Sequence, residues 1–496
     1  MALTLPQRRA ELALVGGAIV VAGTLVVLAG VSWWLRGERV LPVAQPLVVL
    51  MGAGVLFLGI LLRRERAAPF LSLGGFAGAM ILLYSVYPLL IFVMNGGVYT
   101  PRSDVRLFEW PPAPEDIAIF GWWYLVFLLS FAVAYLLVAP STRRSGPLAV
   151  QAPPRGMLIV VLTAFVALQI YLTTTRILFD LGGDDYFEGY VQVQNLPLLV
   201  RQFYVHLAEM RVTLLILLLS VLFAQYRRYR RWIALLAAVE VVSSLQVLQS
   251  RTEIFVFLVA LMVLYHNLVR RIPMWIAATA GVLLVAAFVF LGMVRSSGLQ
   301  GATALDLVRG DSEFEAIMSN AYDLRSVKRA TGALTAQPAV YFSDFTNVLP
   351  QQLLPFQKRD KAEWFLTTYY PKAAASGNGF AFGALAEAVT GFGWIELLVR
   401  GAVVGLAFGL FQRRLVRGPV TVWRMTLSVW MLVFSYQLLR NTTFCYLTRA
   451  EYGVFVPLVA VRAGHYFLAV GRRRLHALQF TPSPPPTART ARRDGP

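Results

Sequence analysis

Lysine is almost missing from this chain of 496 residues. Of 45 lysines and arginines only Lys328, Lys358, Lys361 and Lys372 are lysine, and all four fall in one stretch. Cysteine is scarcer still. Cys445 stands alone, which excludes an internal disulfide framework and a cysteine-based zinc cluster. The four histidines, His206, His266, His465 and His476, form no cluster with metal-ligand spacing, so a metal-free site with no cofactor is expected. Charge of either sign is thin: 14% of residues are charged, where a soluble domain carries about 25%. Length alone would allow several soluble domains, but no long soluble stretch is present to build them.

Apolar sequence fills the space. It makes up 57% of the chain and comes in blocks of roughly 20 residues, the length that crosses a hydrocarbon core of about 30 Å. The pattern predicts an all-α, polytopic transmembrane bundle of about twelve spans. They cover Glu11–Leu35, Val40–Leu62, Phe70–Asn95, Ile117–Ala139, Met157–Phe179 and Val205–Gln225 in the first half. Trp232–Gln249, Thr252–Val269, Pro273–Val294, Phe380–Phe411, Thr421–Leu439 and Tyr452–Val470 follow. By domain, residues 1–294 hold nine spans, 295–379 a large and partly helical outer loop, 380–475 the last three spans, and 476–496 a Pro/Arg-rich tail expected to be disordered.

The net charge of +19 raises nucleic acid as a partner, and position excludes it. The arginines sit in short loops beside apolar spans: Arg63-Arg64, Arg143-Arg144, Arg227-Arg228, Arg270-Arg271 and Arg413-Arg414, with Arg8-Arg9 and Arg472-Arg473-Arg474 in the tails. Cationic loops resist translocation, so both termini are expected in the cytoplasm and the first span is expected to stay uncleaved. The loop from Arg295 to Gly379 then falls outside, and a connection of that length is usually functional.

The minority of cations left outside are the informative ones. Arg325, Lys328 and Arg329 are spaced to share one helix face, a surface suited to phosphate or pyrophosphate; the alternative is a solvated loop helix. Arg251 sits in the tight hairpin Gln249-Ser250-Arg251-Thr252, after a helix carrying Glu240, Ser243 and Ser244. Arg176 and Arg440 lie on the same side. Glu387 and His206 are the outer candidates for a general base; Glu387 paired with an arginine as a structural counter-ion, and His206 in a plain interfacial role, are the alternatives. Gly401, Gly405 and Gly409 recur every fourth residue, a face for close helix contact. Gly391-Phe392-Gly393 divides the tenth span into a short outer helix and a crossing helix from Trp394.

The order of these features resembles a family. Ser250-Arg251-Thr252-Glu253 leads into an apolar helix ending Tyr265-His266, then the long loop with Asn347-Val348-Leu349-Pro350 and Leu354-Pro355-Phe356, then Gly377-Asn378-Gly379 through Glu387-Ala388. This is similar to the Wzy-type oligosaccharide repeat-unit polymerases, relatives of the O-antigen ligases, over roughly Leu245 to Gly409. The resemblance implies a metal-independent glycosyltransferase of the bacterial inner membrane, acting at the periplasmic face. It would move a growing glycan from undecaprenyl pyrophosphate onto a new lipid-linked unit. Arg251, Arg325, Lys328, Arg329, Arg176 and Arg440 would then hold the pyrophosphate. Glu387 or His206 would take the hydroxyl proton, and Tyr341, Trp364 and Tyr369 would stack on sugars. Lipid-linked oligosaccharides and membrane lipids are the implied partners, with a chain-length-regulating co-polymerase left open. The loop has no histidine, whereas ligases of this superfamily carry an essential one there; that favours polymerase over ligase. A lipid-linked oligosaccharide flippase is the rival outside enzymes, although no matching halves are visible.

Overall fold

A computed structural model describes residues 40–65, 71–95, 113–141, 147–154, 156–181, 191–246, 251–297, 313–331, 338–346, 351–375 and 382–479, with the single positions 30 and 349. The predicted first span, but for one position, lies outside this set. The described residues are mostly helical and form no strand, with one isolated parallel bridge between Val150 and Val420.

Eight long helices run through the first part of the chain: α1 Leu41–Glu65, α2 Leu73–Met94, α3 Pro114–Val138, α4 Met157–Leu178, α5 Leu198–Ala224, α6 Tyr226–Gln246, α7 Arg251–Leu268 and α8 Met274–Ser297. Local chemistry starts several of them. Ser72 caps α2 by accepting from the Gly75 N–H at 3.1 Å. Pro114 opens α3 with Glu115 and Asp116 in its first turn, where a carboxylate meets the positive end of the helix dipole. Smaller elements follow: α9 Glu313–Thr331, α10 Pro338–Phe345, α11 Lys361–Tyr369, α12 Pro371–Ala375 and α13 Gly383–Thr390. The chain then crosses back and forth through α14 Trp394–Arg417, α15 Val422–Val433, α16 Gln437–Arg440, α17 Thr443–Thr448 and α18 Val456–Gln479.

Among the described residues seven helical stretches are long and apolar enough to cross a membrane: α1 to α5, α14, and Thr443–Leu468. The last is α17 and α18 joined without a break by a π-helical segment, Arg449–Phe455. The tenth predicted span divides at Gly391–Gly393 into α13 and α14, as its glycines indicate. The predicted spans Trp232–Gln249, Thr252–Val269, Pro273–Val294 and Thr421–Leu439 are not among the seven, and three places depart from the predicted pattern in detail. The Arg227–Arg231 run is not a loop but the opening of α6, because arginine is a good helix former and Gln225 alone breaks the chain. The Thr421–Leu439 span is α15, a 3-10 turn at Phe434–Tyr436 and α16, not one helix. The last span starts well before Tyr452, at Thr443.

Close packing centres on α14 against α3. A Cβ on Gly401 would meet Ser130 and the Phe127 carbonyl, and one on Gly405 would run into the Phe131 carbonyl. The glycine stripe therefore lets two backbones touch, as small residues do between membrane helices. Phe57, Phe131, Tyr135 and Phe408 interleave edge-on around that seam. A second tie is polar. Arg211 in mid-α5 donates to Gln169 of α4 at 2.8 Å, to Glu253 of α7 at 2.9 Å and to Glu240 of α6 at 2.7 Å. Ionised groups inside an apolar bundle persist only when paired, and here one guanidinium ties four helices.

Two outcomes test these ties. Gly405→Val should lower the melting midpoint in detergent, with a loss of about 1–3 kcal/mol from overpacking; an unchanged midpoint would show that the helices do not meet there. Arg211→Leu, which takes the cation from Glu240 and Glu253, should cost about 3–5 kcal/mol, and Arg211→Leu with Glu240→Leu should recover much of it.

Candidate functional site

The loop between α8 and α14 does not hang free. Its described part folds back on the ends of the spans and brings a set of charges into a place without water. Asp360 caps α11 by accepting from the Ala362 N–H at 3.0 Å. That cap fixes Lys361, at 3% exposure, in the first turn beyond it. α13 begins at Gly383, whose φ of +77° and close approach to the Leu439 carbonyl exclude a side chain. One helical turn later Glu387 points inward, with 0% exposure.

Glu387 is fully occupied. Its Oε2 meets Arg400 of α14 at 2.5 Å and accepts from the Thr443 hydroxyl at 2.9 Å. Its Oε1 accepts from the Thr443 N–H at 2.9 Å and lies 3.5 Å from the Lys361 ammonium. Burial works against its charge, but Arg400, Lys361 and the Thr443 N–H outweigh burial and hold the carboxyl below its ordinary range. A carboxylate so stabilised accepts a proton poorly. Its geometry is that of the structural counter-ion, the alternative left open by the sequence. Lys361 also pairs with Asp344 of α10 at 2.7 Å, and Arg400 with Glu396 one turn before it at 3.1 Å. Burial alone would discharge Lys361; the Glu387 and Asp344 charges overcome it and raise the ammonium above its usual value.

Two carboxyls at this site have the opposite character. Burial and the Glu387 charge push Asp344 up to about 6, against the pull of Lys361. The Asp344 Oδ1 is buried and has no hydrogen-bond partner among the described residues. Asp360 is half-buried, and burial of the carboxyl pushes it up to about 6 against hydrogen bonds from Thr442 and Ala362. Carboxyls raised toward neutrality beside buried cations occur in functional sites and in structural ion-pair networks alike.

The outer cations are distributed differently from the sequence expectation. Arg325, Lys328 and Arg329 do share the face that their spacing predicts on α9, but that face is turned onto the protein. Asp116 of α3 receives Arg325 at 3.3 Å and both nitrogens of Arg329, at 2.6 and 2.8 Å. Lys328 donates to the Val389 carbonyl at 2.8 Å, the C-terminal end of α13 where a cation belongs. Burial and the neighbouring Arg329 lower the Arg325 guanidinium despite Asp116. Arg329 keeps a side chain 57% exposed. Arg176 closes α4 by donating to the Leu181 carbonyl at 3.2 Å, and Arg440 ends α16. Arg251 is the first residue of α7, and its side chain lies outside the described set.

His206 is not brought to Glu387. It stacks on Tyr452, with ring centroids 4.3 Å apart, nine residues along the last helix from Thr443, about 13 Å at 1.5 Å per residue. Beside it Glu209 pairs with Arg449 at 3.0 Å. Trp364 is buried at 3% exposure, its ring edge-on to Tyr369 at 5.6 Å, so it serves the core and offers no open face to a sugar. Tyr369 is partly exposed, and the Tyr341 side chain lies outside the described set. Sequence reading missed Asp344, Asp360, Lys361 and Thr443 as members of the site. Arg400 carried a signal, since a cation inside an apolar helix requires a counter-charge; the loop residues carried none.

No protein-family model, no curated protein and no solved structure matches this chain. Among the described residues no group of three His, Cys, Asp or Glu side chains is arranged to hold a metal ion.

The raised carboxyls set a pH dependence. Asp360 binds its proton more tightly folded than unfolded, so the stability it confers is complete below about pH 4 and is lost as pH rises through about 6. Glu387 acts oppositely and contributes above its ordinary range, being lost only at lower pH. Asp360→Asn keeps the cap and removes the titration. Its melting midpoint should therefore fall less steeply than that of the parent between pH 4 and 6, and parallel curves would refute the assignment.

Proposed function

We propose that the chain is a polymerase of lipid-linked oligosaccharide repeat units, a metal-independent glycosyltransferase of the Wzy type in a bacterial inner membrane, with about twelve spans and the loop lobe on the periplasmic side. The observation that carries this reading is the buried carboxyl of Asp344, one oxygen on Lys361 and the other without a hydrogen-bond partner among the described residues, in the cluster that also holds Arg400. A transfer from a lipid pyrophosphate needs two things at one place: a base for the acceptor hydroxyl and cations for the departing charge.

In this reading Asp344 Oδ1 takes the hydroxyl proton while Lys361 holds the other oxygen. The hydroxyl oxygen bonds to the anomeric carbon, and the bond from that carbon to the pyrophosphate breaks, its electron pair leaving with the pyrophosphate. Arg329 and Arg251 are the cations proposed to meet that charge, since a guanidinium fork matches phosphate oxygens. The O-antigen ligase and the flippase remain the competing readings, and Arg211 with Glu240 and Glu253 is the feature that favours a carrier.

Reconstitution with lipid-linked oligosaccharide separates the three. A ladder of longer lipid-linked glycans supports the polymerase, transfer onto a lipid A core identifies a ligase, and movement without bond formation identifies a flippase. Given a ladder, Asp344→Asn should slow extension by about 10²–10⁴-fold, and the parent rate should rise with pH through about 6 as the base ionises. Arg251→Ala should stop extension with the protein still inserted and single repeats accumulating. Parental chain lengths in that variant would remove Arg251 from the pyrophosphate site.

A further inference from the structure

The lobe that carries Asp344 turns its other face outward, and that face is greasy. On α10, Val340, Ser343 and Asp344 are buried, while Phe342 is 57% and Phe345 83% exposed. The following loop continues the surface with Leu349 at 43% and Leu353 at 70%. This loop is held in shape. Gln351 donates to the Phe356 carbonyl at 2.7 Å and accepts from the Lys358 N–H at 2.7 Å, and the Lys358 ammonium turns onto the Leu349 carbonyl. Its apolar side chains are therefore presented outward by a fixed frame. Water is a poor partner for such a contiguous patch.

The level of the lobe in the bundle says what covers it. Asp344 is linked through Lys361 and Glu387 to Arg400. Arg400 lies six residues inside the apolar helix α14, about 9 Å from its start at Trp394. α10 also packs against α17, the opening of the last apolar stretch. A bilayer surrounding α14 would therefore have its boundary close to this lobe. Arg359, exposed and fixed beside α10 by its N–H bond to Ser343 at 2.9 Å, adds a cation at the rim. An apolar face with a basic edge is the composition of an element lying in the membrane interface.

We propose that α10 and the loop from Leu349 to Lys358 dip into the phospholipid leaflet, Phe342, Phe345 and Leu353 entering the acyl boundary and Arg359 meeting lipid phosphates. The consequence is that Asp344, on the opposite face of the same short helix, is held at the level where a lipid headgroup emerges. The inference needs only a membrane-spanning bundle and carries no activity readout, so it stands or falls separately from the polymerase reading.

Single cysteines test it, in a Cys445→Ser background labelled with bimane and reconstituted in vesicles of phosphatidylethanolamine and phosphatidylglycerol. Phe345→Cys and Leu353→Cys report the apolar face; Thr367→Cys, on the exposed side of α11, is the water-facing control. Brominated acyl chains should quench the first two and aqueous iodide should lose its effect on them, with the order reversed at position 367. Phe342→Cys supplies an independent reading if either label perturbs its site. Iodide quenching at 342, 345 and 353 equal to that at 367, without quenching by brominated lipid, overturns the proposal.

Discussion

Glu387 has no contact with water and cannot keep its charge without Arg400 and Lys361. Each of those cations comes from a different part of the chain: Arg400 from a membrane helix and Lys361 from the outer loop. Thr443, which supplies two more hydrogen bonds, begins the last apolar stretch. One carboxylate thus fixes the loop lobe, α13, α14 and the final helix relative to one another. Removing Arg400 or Lys361 would leave a buried carboxylate with half of its counter-charge, a larger penalty than the loss of a surface pair. The position of every other site residue follows from this knot.

The knot also explains why neighbouring carboxyls behave so differently. Glu387 has Arg400 as well as Lys361 and the Thr443 N–H, and stays ionised. Asp344 is raised to about 6 by burial and by the Glu387 charge, against the pull of Lys361. Two acids with contrasting affinities for a proton, a few ångströms from one ammonium, are what environment alone can make from the same functional group. The second polar knot, around Arg211, has the same logic inside the membrane helices: three helices supply the partners of one guanidinium on a fourth.

The glycine stripe shows how little chemistry some of the architecture needs. Gly401, Gly405 and Gly409 contribute no group of their own, yet they let α14 lie directly on α3. Arg400, which reaches Glu387, stands on the same helix immediately before the stripe. In this way a packing detail of the spans reaches the charged cluster at their ends.

Much of the helical framework was legible in the residues, because a 20-residue apolar block can satisfy its backbone in a bilayer only as a helix. The stripe at 401–409 and the break at Gly391–Gly393 were readable for the same local reason. Arg325, Lys328 and Arg329 were placed on one face by spacing alone. Spacing could not say which way the face turns, and tertiary structure turned it onto Asp116 and Val389. Lys361, Asp344 and Asp360 were invisible as a site because their meaning depends on Glu387, Arg400 and Thr443, up to 99 positions away in the chain (from Asp344 to Thr443). Hydropathy is a property of a segment and survives in sequence; the proton affinity of a carboxyl is a property of its neighbours, and only folding chooses those.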